Sequence, residues 1–409
     1  MSHQSTVVQP HRSSVLVIGG GVAGSACALR LRSHGIEVAL AEKAVFPRAK
    51  VCGCCIGGAG IETFDELGVL SQVTNHGVGI TQWQASIGGK RVQVELPSGV
   101  AISRETLDTL LLDAARDAGC EVITPCTATL QEVTADRVSV RLDTEGESQE
   151  RSFDLVVVAA GLNGGGVNAF LPWTEKPHGP FGVAWSADCS AVPTDSVGPL
   201  SSACSTTACQ SGTSTTKVPV QESLSPHVIY MACDDDGYVG LVRLENDRVD
   251  IAAALRSGSA ANVGSPRERV VKILDRSQFP AWAFRNPSDC LTTPPLRRTR
   301  QPGKGRLIAI GDAAGYSEPF TGEGMTWAMQ SAIACADLIA ESAASGSQSF
   351  EDVGDRWQHR LPSLLRRKKL ACRAVTSVLR WPAARRAVGS TLARWPSLAE
   401  PLIRHLSQS

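Results

Sequence analysis

The sequence predicts an α/β protein: a dinucleotide-binding domain with an inserted mixed β-sheet, followed by a basic helical tail. Three observations predict it. Residues 15–42 run strand, glycine turn, helix, strand, acid; the middle of the chain carries short apolar runs bounded by turn residues; and the C-terminal segment interleaves basic residues with Leu and Trp.

Composition sets the outer limits. A chain of 409 residues suits two to three structural units, and 43% apolar with 20% charged residues is enough to bury a core. The formal net charge is zero, which argues against a strongly electrostatic nucleic-acid binder. That balance hides an asymmetry: from Arg356 onward there are twelve basic residues against the single acid Glu400, so the tail stands at +11 and the rest at −11. Thirteen cysteines without regular spacing, and a start lacking the apolar core of a secretory signal, fit a reducing cytoplasm. No apolar run reaches the roughly 18 residues of a membrane span, so membrane contact is expected only at the surface.

The first element is an aliphatic strand at 15–18, followed at once by Gly19-Gly20-Gly21-Val22-Ala23-Gly24 and a helical pattern to Ser33. A second apolar strand at 37–41 ends in Glu42, 23 residues after Gly19. This is the Rossmann-type fingerprint in its full context. Gly19 permits the turn, Gly21 lets backbone N–H groups approach a pyrophosphate, and Gly24 lets the helix pack on the strand. The helix N-terminus faces the phosphates, Glu42 accepts from an adenosine ribose, and Ala23 and Lys43 complete the contacts expected here. The fingerprint alone does not separate NAD from FAD.

A later strand at 306–310 leads into Gly311-Asp312-Ala313-Ala314-Gly315, then Pro319-Phe320-Thr321-Gly322-Glu323-Gly324, then a long apolar helix beginning at Met325. With the fingerprint, these motifs resemble the FAD-dependent oxidoreductases of the aromatic-hydroxylase fold, particularly their geranylgeranyl reductase-like branch. The resemblance implies FAD as cofactor, NAD(P)H as reductant, Asp312 beside Gly311 as ribityl ligand, and the turn of Pro319, Gly322, Gly324 and Met325 at the isoalloxazine edge. A glycine-rich helix start also offers free N–H donors and a positive dipole end to a reduced flavin.

Two further stretches agree. Phe46-Pro47-Arg48-Ala49-Lys50-Val51-Cys52-Gly53 resembles the family's Phe-Pro-Arg-x-Lys-x-Cys-Gly segment, which places Cys52 and Gly53 near the flavin. Arg104-Glu105-Thr106-Leu107-Asp108 resembles its Arg-x-x-Leu-Asp helix start, which makes Arg104 a flavin contact; the alternative is an exposed helix-entry arginine paired with Asp108. The chain also departs from the family. Where the hydroxylases carry Asp-Gly, it reads Gly161-Leu162-Asn163-Gly164-Gly165-Gly166, so Gly161 marks either a backbone approach to cofactor or a flexible crossover. The prenyl reductases' Tyr-x-Trp-x-Phe-Pro stretch survives only as Tyr238 in 237–243. The halogenases' Trp-x-Trp-x-Ile-Pro motif is absent, which ranks halogenation third. Cys52, Cys54 and Cys55 read as packing thiols, as a flavin-proximal redox group, or more remotely as metal ligands, and no metal site is expected.

These features divide the chain into a discontinuous FAD-binding domain (14–75, 98–165 and 290–345), a substrate domain (76–97 and 166–289) and a basic helical tail (346–409). A hairpin at 82–87 and 91–96 and strands at 181–187, 228–233, 238–244 and 249–255 supply the inserted sheet. The Ser/Thr-rich stretch 188–226 reads as a mobile insert or as a lid. Prolines should break the tail into short helices that suit an anionic membrane or the mouth of a lipid tunnel, or that dock as a cap on the acidic body.

The functional expectation is NAD(P)H-linked monooxygenation of a hydrophobic substrate, a phenolic or isoprenoid lipid. Reduction of prenyl double bonds is the alternative, and a non-catalytic FAD-binding membrane or partner-binding protein is the reading from another class. The cytoplasm, with peripheral contact at the inner face of a membrane, is the expected location. Cys52, Tyr238 and His227 are the only catalytic candidates.

Overall fold

A computed structural model describes residues 14–188, 224–257, 264–280, 290–318, 320, 322–344 and 350–401. Most of the expected insert at 188–226, and Pro319, lie outside the described residues.

The chain opens with β1 (Ser14–Ile18), α1 (Val22–Ser33) and β2 (Glu37–Ala41). It then forms β3 (Cys55–Ile56), α2 (Gly58–Glu66), α3 (Leu70–His76) and the hairpin of β4 (Val78–Ile87) and β5 (Lys90–Ala101). It returns through α4 (Arg104–Asp117) and β6 (Glu121–Ile123) to the meander β7 (Thr127–Val133), β8 (Val138–Thr144) and β9 (Glu147–Phe153), then β10 (Leu155–Val158). A second excursion contains β11 (Trp173–Asp188), β12 (Val228–Asp234), β13 (Gly237–Arg243), β14 (Arg248–Leu255), α5 (Pro266–Arg276) and β15 (Leu291–Arg300). The chain ends with β16 (Gly303–Lys304), β17 (Leu307–Ala309), β18 (Gly315–Tyr316), α6 (Gly324–Ala344), α7 (Val353–Arg380) and α8 (Pro382–Arg394).

Among the described residues the strands form three sheets. The first has the order β16-β17-β10-β1-β2-β6, parallel except for β16 at its edge. Its central strands are continuous aliphatic runs, and Val15, Leu16, Val17, Leu155, Val156 and Val157 have no exposed surface. Such runs mark strands covered on both faces. Helix α1 packs against α4 and α6, and Arg30 locks it to α6 through Asp337 at 2.7 Å.

The second sheet has nine strands in the order β18-β15-β11-β14-β13-β12-β4-β5-β3. It is antiparallel except where β12 runs parallel to β4, with Val228 opposite Gln82 and Cys233 opposite Ile87. The β4–β5 turn is Gly88-Gly89 with φ of 58° and 79°, the left-handed pair that a two-residue hairpin requires. The meander β7-β8-β9 is the third, small sheet.

Two differences from the sequence reading stand out. Residues 291–300, expected within the FAD-binding domain, form β15 and pair with β11, Trp173 lying opposite Arg300; β5 likewise carries the hairpin four residues past the expected limit, to Ala101. The tail, expected as short helices, holds one helix of 28 residues that runs straight through Pro362. An interior proline costs a helix about 3 kcal/mol. Here burial offsets it: Trp357, Leu361, Leu365 and Cys372 on one face are all buried, and the Trp357 indole N–H donates to the Ala309 carbonyl at 3.0 Å. Helix α8 lies against the β4–β5 hairpin so closely that a Cβ on Gly389 would collide with the Ile87 carbonyl.

Candidate cofactor and substrate cavity

The glycine turn after β1 is built as its sequence demands. Gly19 holds φ of +107°, and a Cβ on Gly24 would run into the Gly19 carbonyl oxygen, so α1 approaches β1 as closely as backbone permits. The Glu42 carboxylate is buried and accepts from the Gly20 N–H at 2.6 Å and the Ala44 N–H at 2.8 Å. These bonds fix the acid at the end of β2 beside the turn.

Facing the turn is a cluster of cations. Arg104, at the start of α4, is buried and donates through Nε and Nη2 to the two oxygens of Asp108, each at 2.8 Å. The pairing with Asp108 is the one the sequence offered, but Arg104 is buried in the cavity wall rather than exposed at the helix entry. Arg48 lies 3.5 Å from Asp108 and 4.0 Å from Glu42. Its buried Nε has no partner among the described residues. Lys50 is half-buried beside them, and burial followed by the charge of Arg104 lowers its pKa.

One cavity of about 1210 Å³ joins this cradle to the nine-stranded sheet. It is larger than the roughly 300–1,000 Å³ of a pocket for one small ligand. Of the expected cofactor contacts, Gly19, Gly21, Ala23, Glu42, Lys43, Cys52, Gly53, Arg104, Gly161, Asp312, Gly322, Gly324 and Met325 line it. Gly24 and Gly311 stand behind the wall; a Cβ on Gly311 would meet the Ala23 Cβ at 2.9 Å. Away from the cradle the lining is apolar, with Trp83, Ile229, Met231 and Leu241 from the sheet and Val375, Leu379, Val388 and Leu392 from the tail. Tyr238 lines it too, its ring edge-on to Phe320 at 5.0 Å. His227 is not part of the wall: it is exposed, with Nδ1 2.6 Å from the Gly79 carbonyl.

Between the two ends sit groups that hold or release protons. The Cys52 sulfur is 3.7 Å from the Met325 sulfur and 3.5 Å from the Cys54 N–H. A hydrogen bond from Cys54, aided by the Arg104 charge, pulls the Cys52 thiol down to about 6. Cys54 and Cys55 move the other way: the hydrogen bond to Cys52 and then burial raise Cys54, and burial raises Cys55. Behind them the buried Asp250 is held well above the usual carboxylate range by burial and then by Cys52. Burial also lifts Tyr238 and Tyr316, and it pushes the cavity-lining Glu323 up to about 7. Among the described residues no group of His, Cys, Asp and Glu is arranged to hold a metal ion.

Arg48 and Lys50 stand in the stretch that drew attention to Cys52, but the sequence did not single them out; Asp108 entered only as the partner of an exposed Arg104. Asp250 had a weaker signal, an acid inside the apolar run of β14. Nothing in the sequence placed Val375 or Val388 at the cavity, because helix docking is set by tertiary packing.

The sequence profile described as FAD binding domain matches residues 12–286. The chain belongs to the FAD-binding-domain family. With it comes membership of the FAD-dependent oxidoreductase superfamily. The cradle fits the cofactor: an unpartnered buried guanidinium nitrogen, two further cations and a glycine-lined helix N-terminus suit an anionic dinucleotide.

Relatives of this FAD-binding domain are distant. Digeranylgeranylglycerophospholipid reductase 2 of Methanothermobacter thermautotrophicus is 26% identical over 341 residues, 81% of this chain and 79% of that one. Conditioned medium factor receptor 1 of Dictyostelium discoideum is 23% identical over 342 residues, 77% of this chain. The chain spans 61% of that receptor's length and 31% and 42% of two other curated relatives. Among solved structures, the flavin-dependent brominase Bmp2 superposes with a TM-score of 0.73 at 16% identity, covering 96% of this chain and 92% of that one. That likeness concerns the fold alone.

Proposed function

We propose that this chain is an FAD-dependent oxidoreductase acting on a hydrophobic substrate, a phenolic or isoprenoid lipid, by NAD(P)H-supported monooxygenation. The observation that carries the proposal is the continuity of the cavity: one space runs from the nucleotide cradle to a chamber walled by apolar side chains of the sheet and tail. FAD, when bound, supplies the two-electron and oxygen chemistry. The chain's own residues do the rest. Glu42 and the 19–24 turn orient the nucleotide end, and Arg48, Lys50 and Arg104 offset its negative charge. Asp312 and the start of α6 bound the flavin end. The apolar walls exclude water from the reacting end of the cavity, which suppresses side reactions there.

A second reading, reduction of a carbon–carbon double bond, is favoured by the proton donors. Reduction needs a proton beside the accepting carbon, and Glu323 with a pKa near 7 lies in the wall. It also draws on the Methanothermobacter relative, which is by name a reductase and is matched along 79% of its length.

The test is turnover of purified, FAD-loaded protein with NAD(P)H and lipid extracts, with and without oxygen, followed by mass analysis. A product one oxygen heavier that forms only in air supports monooxygenation. A product two hydrogens heavier that forms without oxygen supports reduction. Failure to take up FAD would overturn both readings.

A further inference from the structure

Helix α7 carries an exposed apolar stripe. Leu370, Ala374 and Val378 recur at spacings of four, which places them on one helical face, and Trp381 follows directly after the last residue of the helix. Leu370 is 55% exposed, Val378 42% and Trp381 73%. Ala374 and Val378 also border the cavity, so the stripe runs along its rim.

The exposed charges flanking the stripe on α7 and α8 include four arginines. Arg366, Arg367 and Arg373 are exposed on the same helix, Arg386 is exposed on α8, and none of the four makes an ion pair among the described residues. They differ in this from Arg380, held by Glu318, and Arg385, held by Asp235. Beyond α8, Trp395 and Leu398 are 54% and 58% exposed. Free arginines beside exposed Trp and Leu match an anionic bilayer, whose headgroups attract the cations and whose interface takes up the indole rings. An acidic protein surface would explain the arginines but not the continuity of the stripe with an apolar cavity.

We propose that the outer face of α7, from Leu370 to Trp381 with its flanking arginines, docks on an anionic lipid bilayer, so that the cavity rim meets the membrane surface. Docking stands on the stripe and its charges; the further step, that substrate enters from the bilayer, rests on the hydrophobic-substrate reading above. Because docking is read without turnover, its failure is separate from that of the substrate reading, which is tested by the mass of the product.

The experiment is sedimentation of the full-length, FAD-loaded protein with phosphatidylcholine vesicles, with and without phosphatidylglycerol, at two salt concentrations. Binding is expected only to the anionic vesicles and should fall as salt rises. The variant L370S/W381S should bind about tenfold more weakly or worse, with unchanged flavin absorbance and melting. R366Q/R367Q/R373Q, altered only at exposed positions, should lose the preference for anionic vesicles. The proposal is overturned if wild-type protein leaves the vesicles unbound, binds both kinds equally, or binds no better than both variants. Binding to a soluble polyanion at the strength seen with vesicles would point to an acidic macromolecule and overturn it as well.

Discussion

Asp108 offers the sharpest test of how the cradle is held together. Its side chain is fully buried and is the acceptor for both Arg104 nitrogens, with Arg48 3.5 Å away. Asp108→Asn keeps the shape and removes the charge. Breaking a buried pair from one side typically costs about 3–5 kcal/mol, because it leaves the partner's charge uncompensated. For a chain of 409 residues that is a drop in melting temperature of roughly 4–6 °C. Arg48 retains Glu42, but only at 4.0 Å, and gives little relief. The assay is thermal unfolding of the apo protein, with FAD retention measured in parallel. The double variant Arg104→Met/Asp108→Leu should regain half or more of the lost stability, because neither buried charge remains, yet should still hold FAD poorly. A loss below about 1 kcal/mol for Asp108→Asn, or a double variant no more stable than the single one, would refute the account of a paired, buried cation.

Three other outcomes are expected. Cys52 should be alkylated by iodoacetamide with a rate that falls as pH drops through about 6, and Arg104→Met should move that midpoint upward. Glu323 binds its proton more tightly folded than unfolded, so its contribution to stability is fully present below about pH 4.5 and is lost as pH rises to about 7. Glu323→Gln should flatten that slope in denaturant melts, and an unchanged slope would refute the burial of this acid. Val388→Trp, which fills the tail side of the cavity, should lower turnover of bulky substrates several-fold while leaving FAD affinity unaltered; equal loss of both would show that the two ends are not separable.

What the sequence revealed was local. The 19–24 turn, Glu42 and the Gly88-Gly89 hairpin were legible because their chemistry is decided within a few residues, by positive φ, close approach or a strand end. Residues 291–300 were misassigned because their pairing partner, β11, lies more than a hundred residues earlier, and nothing in this Thr-, Pro- and Arg-rich run declares its sheet. Pro362 misled for a related reason. Its local penalty is real, but the burial of Trp357, Leu361 and Leu365 that outweighs it exists only once the helix has docked. At the site the same division holds: the glycine turn and its acid were readable, while the sequence offered the sheet and the tail only as whole elements and not the side chains that line the cavity.

The strand order of the first sheet governs when this protein can acquire its cofactor. Its middle strand β1 pairs with β10, some 140 residues onward, and β10 in turn needs β17, whose last residue is Ala309. At the usual pace of about 5–20 residues per second, a ribosome takes roughly 15–60 s to reach that point. During that interval the glycine turn is already out, while the strand and helix that complete its support are not yet made. Capture of FAD is therefore a late event in the life of each new chain.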